Sequence, residues 1–163
     1  MKHRLVAPAL ALALALAMTS CTDAPSPEPT VSASTVERDA AVGEQASIGS
    51  WTVTVNNFVP DASEAVAAAN EFNPKPADGH VYALVNVTVQ RVSDPGSVFS
   101  LAFTLDGLPS AAAEAPDRLD LIAPADPAAP LTGNIVFELG KSAPSVHSLK
   151  VSADGETVNI TLP

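Results

Sequence analysis

Apolar residues that recur at every second position set the first constraint on this chain. Trp51, Val53 and Val55 share one side, with Thr52 and Thr54 on the other. Ala83, Val85, Val87 and Val89 alternate with Leu84, Asn86, Thr88 and Gln90. Phe99, Leu101, Phe103 and Leu105 alternate with Ser100, Ala102 and Thr104. Ile135, Phe137 and Leu139 keep the same period, as do Val158, Ile160 and Leu162 against Thr157, Asn159 and Thr161. A period of two places each set on one face of a strand. Strands with a single apolar face hide it by stacking one antiparallel sheet on another. The expected fold is therefore all-β, an antiparallel sandwich. Asp154-Gly155, between Leu149/Val151 and Val158, favours a tight hairpin.

Composition then divides the chain. Every Trp, Tyr and Phe lies between Trp51 and Phe137, while residues 22–46 carry none and place Pro25, Pro27 and Pro29 close together. So few large apolar side chains bury too little area to offset the entropy of ordering the segment. It reads as a flexible spacer, stiffened locally by polyproline geometry. The expected domains are 1–20 as a leader, 21–46 as the linker and 47–163 as the folded unit. Within that unit two connections are long. Asp61 to Phe72 is alanine-rich, and Asp61 with Glu64 has the form of a capping pair, which predicts a short connecting helix over Ala62 to Asn70. Asp106 to Pro130 holds five prolines and a run of alanines. A connection of that length in a compact domain is functional or carries structure of its own. Leu119, Leu121 and Ile122 alternate imperfectly there, a pattern compatible with one more edge strand.

The N-terminal residues have a different character. Lys2, His3 and Arg4 precede an apolar run, Leu5 to Met18, broken only by Pro8. The run is shorter than the roughly 20 residues of a spanning helix and reads as the hydrophobic region of a signal peptide. Met18-Thr19-Ser20-Cys21 follows, and Cys21 is the single cysteine. This tetrapeptide resembles the bacterial lipobox, with Met18 where Leu is commoner. The resemblance implies cleavage before Cys21, a thioether-linked lipid on its sulfur and acylation of the new amine. A lone thiol has no intramolecular partner in an oxidising compartment, and two or more acyl chains anchor firmly where one does not. The expected location is the cell membrane, lipid-anchored on its extracytoplasmic side.

Charge narrows the partners. The formal charge is −10, the wrong sign for a phosphate backbone, so no nucleic acid is expected. Losing Lys2 and Arg4 with the leader would take the −10 to −12. Such a surface is repelled by anionic headgroups and wall polymers, which leaves the acyl chains on Cys21 as the membrane contact.

The centre of the chain carries a second resemblance. Asn70-Glu71-Phe72-Asn73-Pro74-Lys75-Pro76-Ala77-Asp78-Gly79-His80-Val81-Tyr82 leads into the strand Ala83 to Val89. It resembles the motif N-x-F-N-x-x-P-x-x-G-x-x-Y before V-x-V-T-V in telokin-like, immunoglobulin-like secreted antigen domains of actinobacterial type. Gly49-Ser50-Trp51-Thr52-Val53-Thr54-Val55 and Gly133-Asn134-Ile135-Val136-Phe137-Glu138-Leu139 are further matches. The likeness spans most of Ile48 to Leu162. Arg91 departs from it, standing where Asn or a small residue often ends the long strand, and Gly140 replaces a usual Pro. The resemblance implies an immunoglobulin-like sandwich at the cell surface and carries over no catalytic residue. The motif itself needs no ligand. Asn70 and Asn73 suit caps and Asx turns, Pro76 and Gly79 suit the ends of a turn, and Phe72 and Tyr82 suit a plug at the end of the sandwich. Trp51 reads as a core residue.

Chemistry-bearing residues are sparse. Met1 and Met18 leave with the leader and Cys21 is lipidated, so no sulfur ligand is left for copper. His80, His147 and Asp78 lack zinc spacing and read as solvated or turn residues. Asp117, Asp120 and Asp126 lack the spacing of a calcium loop and read as a solvated acidic stretch. No G-x-S-x-G elbow, P-loop or G-x-G-x-x-G occurs. Neither catalysis nor any metal or other cofactor is expected. The expected function is a non-catalytic envelope module that meets another envelope protein or a wall polymer through loops or strand edges. The alternative is a small-molecule or cation-binding lipoprotein of transport or sensing, with its pocket at the helix and the long loop. In cells fed a labelled fatty acid, Cys21→Ala should lose the label and leave the membrane fraction. A labelled, membrane-retained variant would refute the anchor.

Overall fold

Val and Thr recur through residues 51–59 and 80–91, and β-branched side chains fit a pleated surface better than a helix. In a computed structural model of the chain, which describes residues 37–92, 101–120, 129–143 and 145–163, these segments are strands. In chain order the elements are β1 (Glu37–Ala41), β2 (Gln45–Ile48), β3 (Trp51–Val59), α1 (Ser63–Ala69), β4 (His80–Arg91), β5 (Ala102–Leu105), β6 (Leu108–Pro109), β7 (Leu131–Gly140), β8 (His147–Ala153) and β9 (Glu156–Leu162). One sheet has the order β1-β9-β8-β5-β6 and the other β2-β3-β4-β7. The fold is an immunoglobulin-like β-sandwich with one short helix among the described residues.

The inward faces are those of the alternating pattern. Val53, Val55, Val85, Val87, Val89 and Phe137 meet Leu105, Leu149, Val151, Ile160 and Leu162 in one core, all essentially without solvent contact. Trp51 belongs to the same core, at 3% exposure. A bulge in β3 falls between Val55, which pairs with Val87, and Asn57, which pairs with Asn86. Without that extra residue Phe58 would point to the outer face. With it, Phe58 pairs with Val85 and returns to the core. The β8–β9 turn is Asp154-Gly155, with φ of 51° and 82°, the left-handed pair that a two-residue hairpin requires.

Four expectations need correction. Residues within the expected 21–46 linker are strands, since β1 and β2 both begin before residue 47. β1 pairs in parallel with β9, from Glu37↔Thr157 to Ala41↔Thr161, so the larger sheet is mixed and not wholly antiparallel. The reason is that β1 contributes little apolar area. Its backbone closes the free edge of β9, and hydrogen bonding of that kind leaves no trace in composition. The helix is one residue shorter at each end than Ala62 to Asn70. Its N-cap is Ala62 with no side-chain capping bond, while Asp61 Oδ1 accepts from the Ser63 amide at 3.2 Å and hydroxyl at 2.8 Å. Those two bonds hold the exposed Asp61 carboxyl below its ordinary value. Finally, Asp106 to Pro130 is not one loop. Asp106-Gly107, with φ of 50° and 81°, turns β5 into β6. Leu121 and Ile122 of the suggested edge strand lie outside the described residues, and Leu119 is buried beside an isolated parallel bridge of Arg118 to Asn134.

Among the described residues, Phe137 is the largest side chain with no exposure. Its replacement by Ala should lower unfolding stability by about 3–5 kcal/mol, read from urea denaturation. An unchanged midpoint would contradict this core.

Candidate functional site

The first half of β4 is apolar on both faces: Val81, Tyr82, Ala83, Leu84 and Val85 are all buried. Ala83 and Val85 enter the main core. Tyr82 and Leu84 point the other way, with Val136 of β7 beside them, and form a second cluster on the outer face of the smaller sheet. That cluster is roofed by Ala62 and Val66 at α1 and by Ala113 and Ala115 of the chain after β6. The alanines matter because a methyl group lets two backbones approach closely over a sheet. Residues 110–119 thus act as a strap across β7.

The strap is fastened at both ends by hydrogen bonds. The Ala111 amide donates to the Val136 carbonyl at 2.8 Å, and the Leu119 amide to the Asn134 carbonyl at 3.0 Å. The Asn134 amide donates to the Asp117 carbonyl at 2.8 Å, and its side-chain Nδ2 to the Pro116 carbonyl at 2.7 Å. Gly133 is required at this crossing, because a Cβ there would lie 2.5 Å from the Leu119 backbone.

Asn73 fastens the strap's middle. Its Nδ2 donates to the Val66 carbonyl at 2.6 Å and the Glu114 carbonyl at 2.9 Å, while its Oδ1 accepts from the Glu114 amide at 2.7 Å. One carboxamide therefore pairs with the strap as a neighbouring strand would, and also takes up a helical carbonyl that α1 leaves free. Asn70 Oδ1 accepts from the Phe72 amide at 2.9 Å, closing the Asx turn that presents Asn73. The Tyr82 hydroxyl donates to the Pro74 carbonyl at 3.1 Å, and the Tyr82 amide to Ser63 Oγ at 3.1 Å. Burial, and secondarily the Glu138 carboxylate, push the Tyr82 phenol up, so it stays a donor. Gly79, with φ of 78°, ends the turn in which the His80 amide donates to the Ala77 carbonyl at 2.9 Å. Pro76 leads into that turn.

Asn70 and Gly79 thus take the turn roles read from the motif, while the Asn73 side chain reaches beyond its own turn to α1 and the strap. Two roles differ. Tyr82 is buried under α1 and the strap, not at the end of the sandwich, and Phe72 is 84% exposed and plugs nothing.

Among the described residues, no three His, Cys, Asp or Glu side chains come together as a metal set. Exposed His80 sets its Nδ1 against the Asp78 carbonyl at 3.1 Å. His147 is not solvated as expected: it is 6% exposed, with Nδ1 2.5 Å from Asp106 Oδ2 and the Phe58 ring edge-on at 5.2 Å. Asp106 Oδ1 also accepts from the Ser148 amide at 2.8 Å. The pair locks the β5–β6 turn onto β8. Asp117 stands at φ 46° in the strap's turn, and Asp120 is engaged. Asp126 and Cys21 lie outside the described residues.

Between β5 and β7, under the strap, lies a cleft of about 630 Å³. Leu101, Phe103, Leu119 and Ile135 give it an apolar floor, with exposed Ala102, Ala112, Arg118 and Asp120 along its rim. A volume of that order and a mostly apolar lining suit a small organic ligand or a short chain segment. Arg118 Nη1 donates to Glu114 Oε1 at 2.8 Å, an exposed pair that ties the rim to the strap. The sequence predicted a pocket at the helix and the long connection; residues 109–113 and 118–120 of that connection do line the cleft, but no residue of α1 does, because its walls come from four separate segments.

No family model and no curated protein matches the chain. Among solved structures, it is similar to an uncharacterized β-sandwich protein from Clostridium difficile 630, with TM-score 0.45 and 12% identity over 79% of this chain and 96% of that one. It is also similar to a chain named as a putative lipoprotein from Bacillus subtilis subsp. subtilis strain 168, with TM-score 0.45 and 11% identity over 72% of this chain. The match spans 38% of the Bacillus chain.

Asn73→Ala removes three bonds at the strap. It should lower stability by about 1–3 kcal/mol and speed amide exchange at Glu114 and Leu119 more than at the core strands. Uniform exchange across the molecule would show that Asn73 does not hold the strap.

Proposed function

We propose that this chain is a lipid-anchored protein of the bacterial cell envelope whose immunoglobulin-like domain is a non-catalytic binding module, and that it engages its partner at the cleft beneath the strap. The observation that carries the reading is that cleft, mostly apolar and walled on one side by residues 109–113 and 118–120. Its position on a domain that follows the lipobox-like Met18-Thr19-Ser20-Cys21 supplies the location. Lipidation at Cys21 would leave residues 22–36 as the tether, a span of at most about 50 Å when fully extended. A partner within that distance of the membrane, either an envelope protein or a wall polymer, is the class the arrangement serves.

The second reading, a small-molecule-binding lipoprotein of transport or sensing, is favoured by the same cleft, since about 630 Å³ accommodates a small organic molecule. The two readings share a site and differ in occupant.

One variant tests the site. Ala112 is exposed on the rim, and Ala112→Trp should fill the mouth without touching the core. Wild-type protein immobilised and washed with envelope extract should retain a partner that Ala112→Trp releases. Retention equal in both would place recognition elsewhere, and thermal-shift screening of sugars and lipids against both proteins separates the small-molecule reading.

A further inference from the structure

At the end of the sandwich where β3 begins and β4 ends, Trp51 and Arg91 stand directly opposite one another in the antiparallel register. Both side chains lie on the core face of the sheet, and the Arg91 guanidinium carbon sits 4.8 Å from the centre of the Trp51 ring. A cation over an indole face is attracted by the ring quadrupole and has its plane fixed by the stack. Two donors in this stack, Trp51 Nε1 and Arg91 Nε, are buried and meet no acceptor. Trp51 as a whole is 3% exposed. The other described arginines each have a carboxylate: Arg38 has Glu156 at 3.7 Å and Arg118 has Glu114 at 2.8 Å. Among the described residues, Arg91 forms no ion pair.

A buried N–H without an acceptor is unfavourable, and a guanidinium keeps its charge at every accessible pH. We propose that the Trp51–Arg91 corner is a binding site for a small carboxylate. A carboxylate fits on two counts. Its two oxygens match the planar guanidinium fork, and its single charge supplies the counter-ion that Arg91 lacks among the described residues. A doubly charged phosphate is opposed by the formal −10 of the chain. The stack orients the guanidinium before the ligand arrives, so binding loses little side-chain freedom. The site is separate from the strap and from the cleft, and it does not rest on the function proposed above.

The chain has one tryptophan, so its indole N–H gives a single cross-peak in a proton–nitrogen correlation spectrum. Sodium acetate added to the full chain in neutral detergent should shift that peak saturably, while sodium chloride at matched ionic strength should not. Arg91→Gln should weaken acetate binding by about tenfold or more, the loss of one bidentate pair. Arg91→Lys, which keeps the charge and the stack's apolar stem but lacks the fork, should fall between the two. A peak unmoved by acetate would mean that water satisfies these donors and would overturn the proposal. A shift that is linear, shared with chloride or unchanged in both Arg91 variants would overturn it equally. If Arg91→Gln loses its dispersed spectrum, the wild-type titrations and Arg91→Lys still decide the matter.

Discussion

A strand with apolar side chains on both faces must be covered twice, and β4 is that strand. Its inward residues pack on the larger sheet, as in any sandwich. Its outward residues, Tyr82 and Leu84, would leave an apolar patch in water if nothing lay over them. α1 and the strap supply the second cover, the helix through Val66 and the preceding Ala62, and the strap through Ala113 and Ala115, whose small side chains let its backbone lie close to the sheet. The departures of this domain from a bare two-sheet sandwich follow from that requirement.

The cover is held by geometry more than by area. A seven-residue helix has too few turns to be stable alone, and the strap brings only small side chains to the second cluster. Asn73 compensates by joining the two, since its carboxamide reaches a helical carbonyl and both backbone groups of Glu114. These bonds are between neutral groups and are not screened by salt, whereas the exposed pair of Arg118 with Glu114 is. The motif Asn70 to Tyr82 is in this light a clasp, whose polar residues hold the roof of the second cluster.

The cleft is a consequence of the same clasp. The strap crosses β7 at Gly133 and leaves β5 on the far side, so the described residues wall the space between the two sheet edges without filling it. A binding surface made this way has rigid strands as its floor and a hydrogen-bonded loop as its rim, an arrangement that suits recognition on a stable scaffold.

The sequence alone determined the sandwich, because period-two burial is a local property: each strand's inward face is written in consecutive residues. It also determined the Asp154-Gly155 turn, where left-handed backbone favours those residue types, and the turn roles of Asn70 and Gly79, whereas the reach of Asn73 to Glu114 came from tertiary structure. Asp106-Gly107 offered the same signal and could have been read in the same way. Tertiary structure alone decided that Glu37–Ala41 is a strand, since its partner β9 lies at the other end of the described chain and the bond is between backbones. It decided that Phe58 faces inward, through a bulge that no residue type announces. It also decided that Phe72 faces water while Tyr82 does not, and that four distant segments meet at one cleft. Those outcomes depend on which backbones come within hydrogen-bonding distance, and such distances exist only once the two sheets have closed on one another.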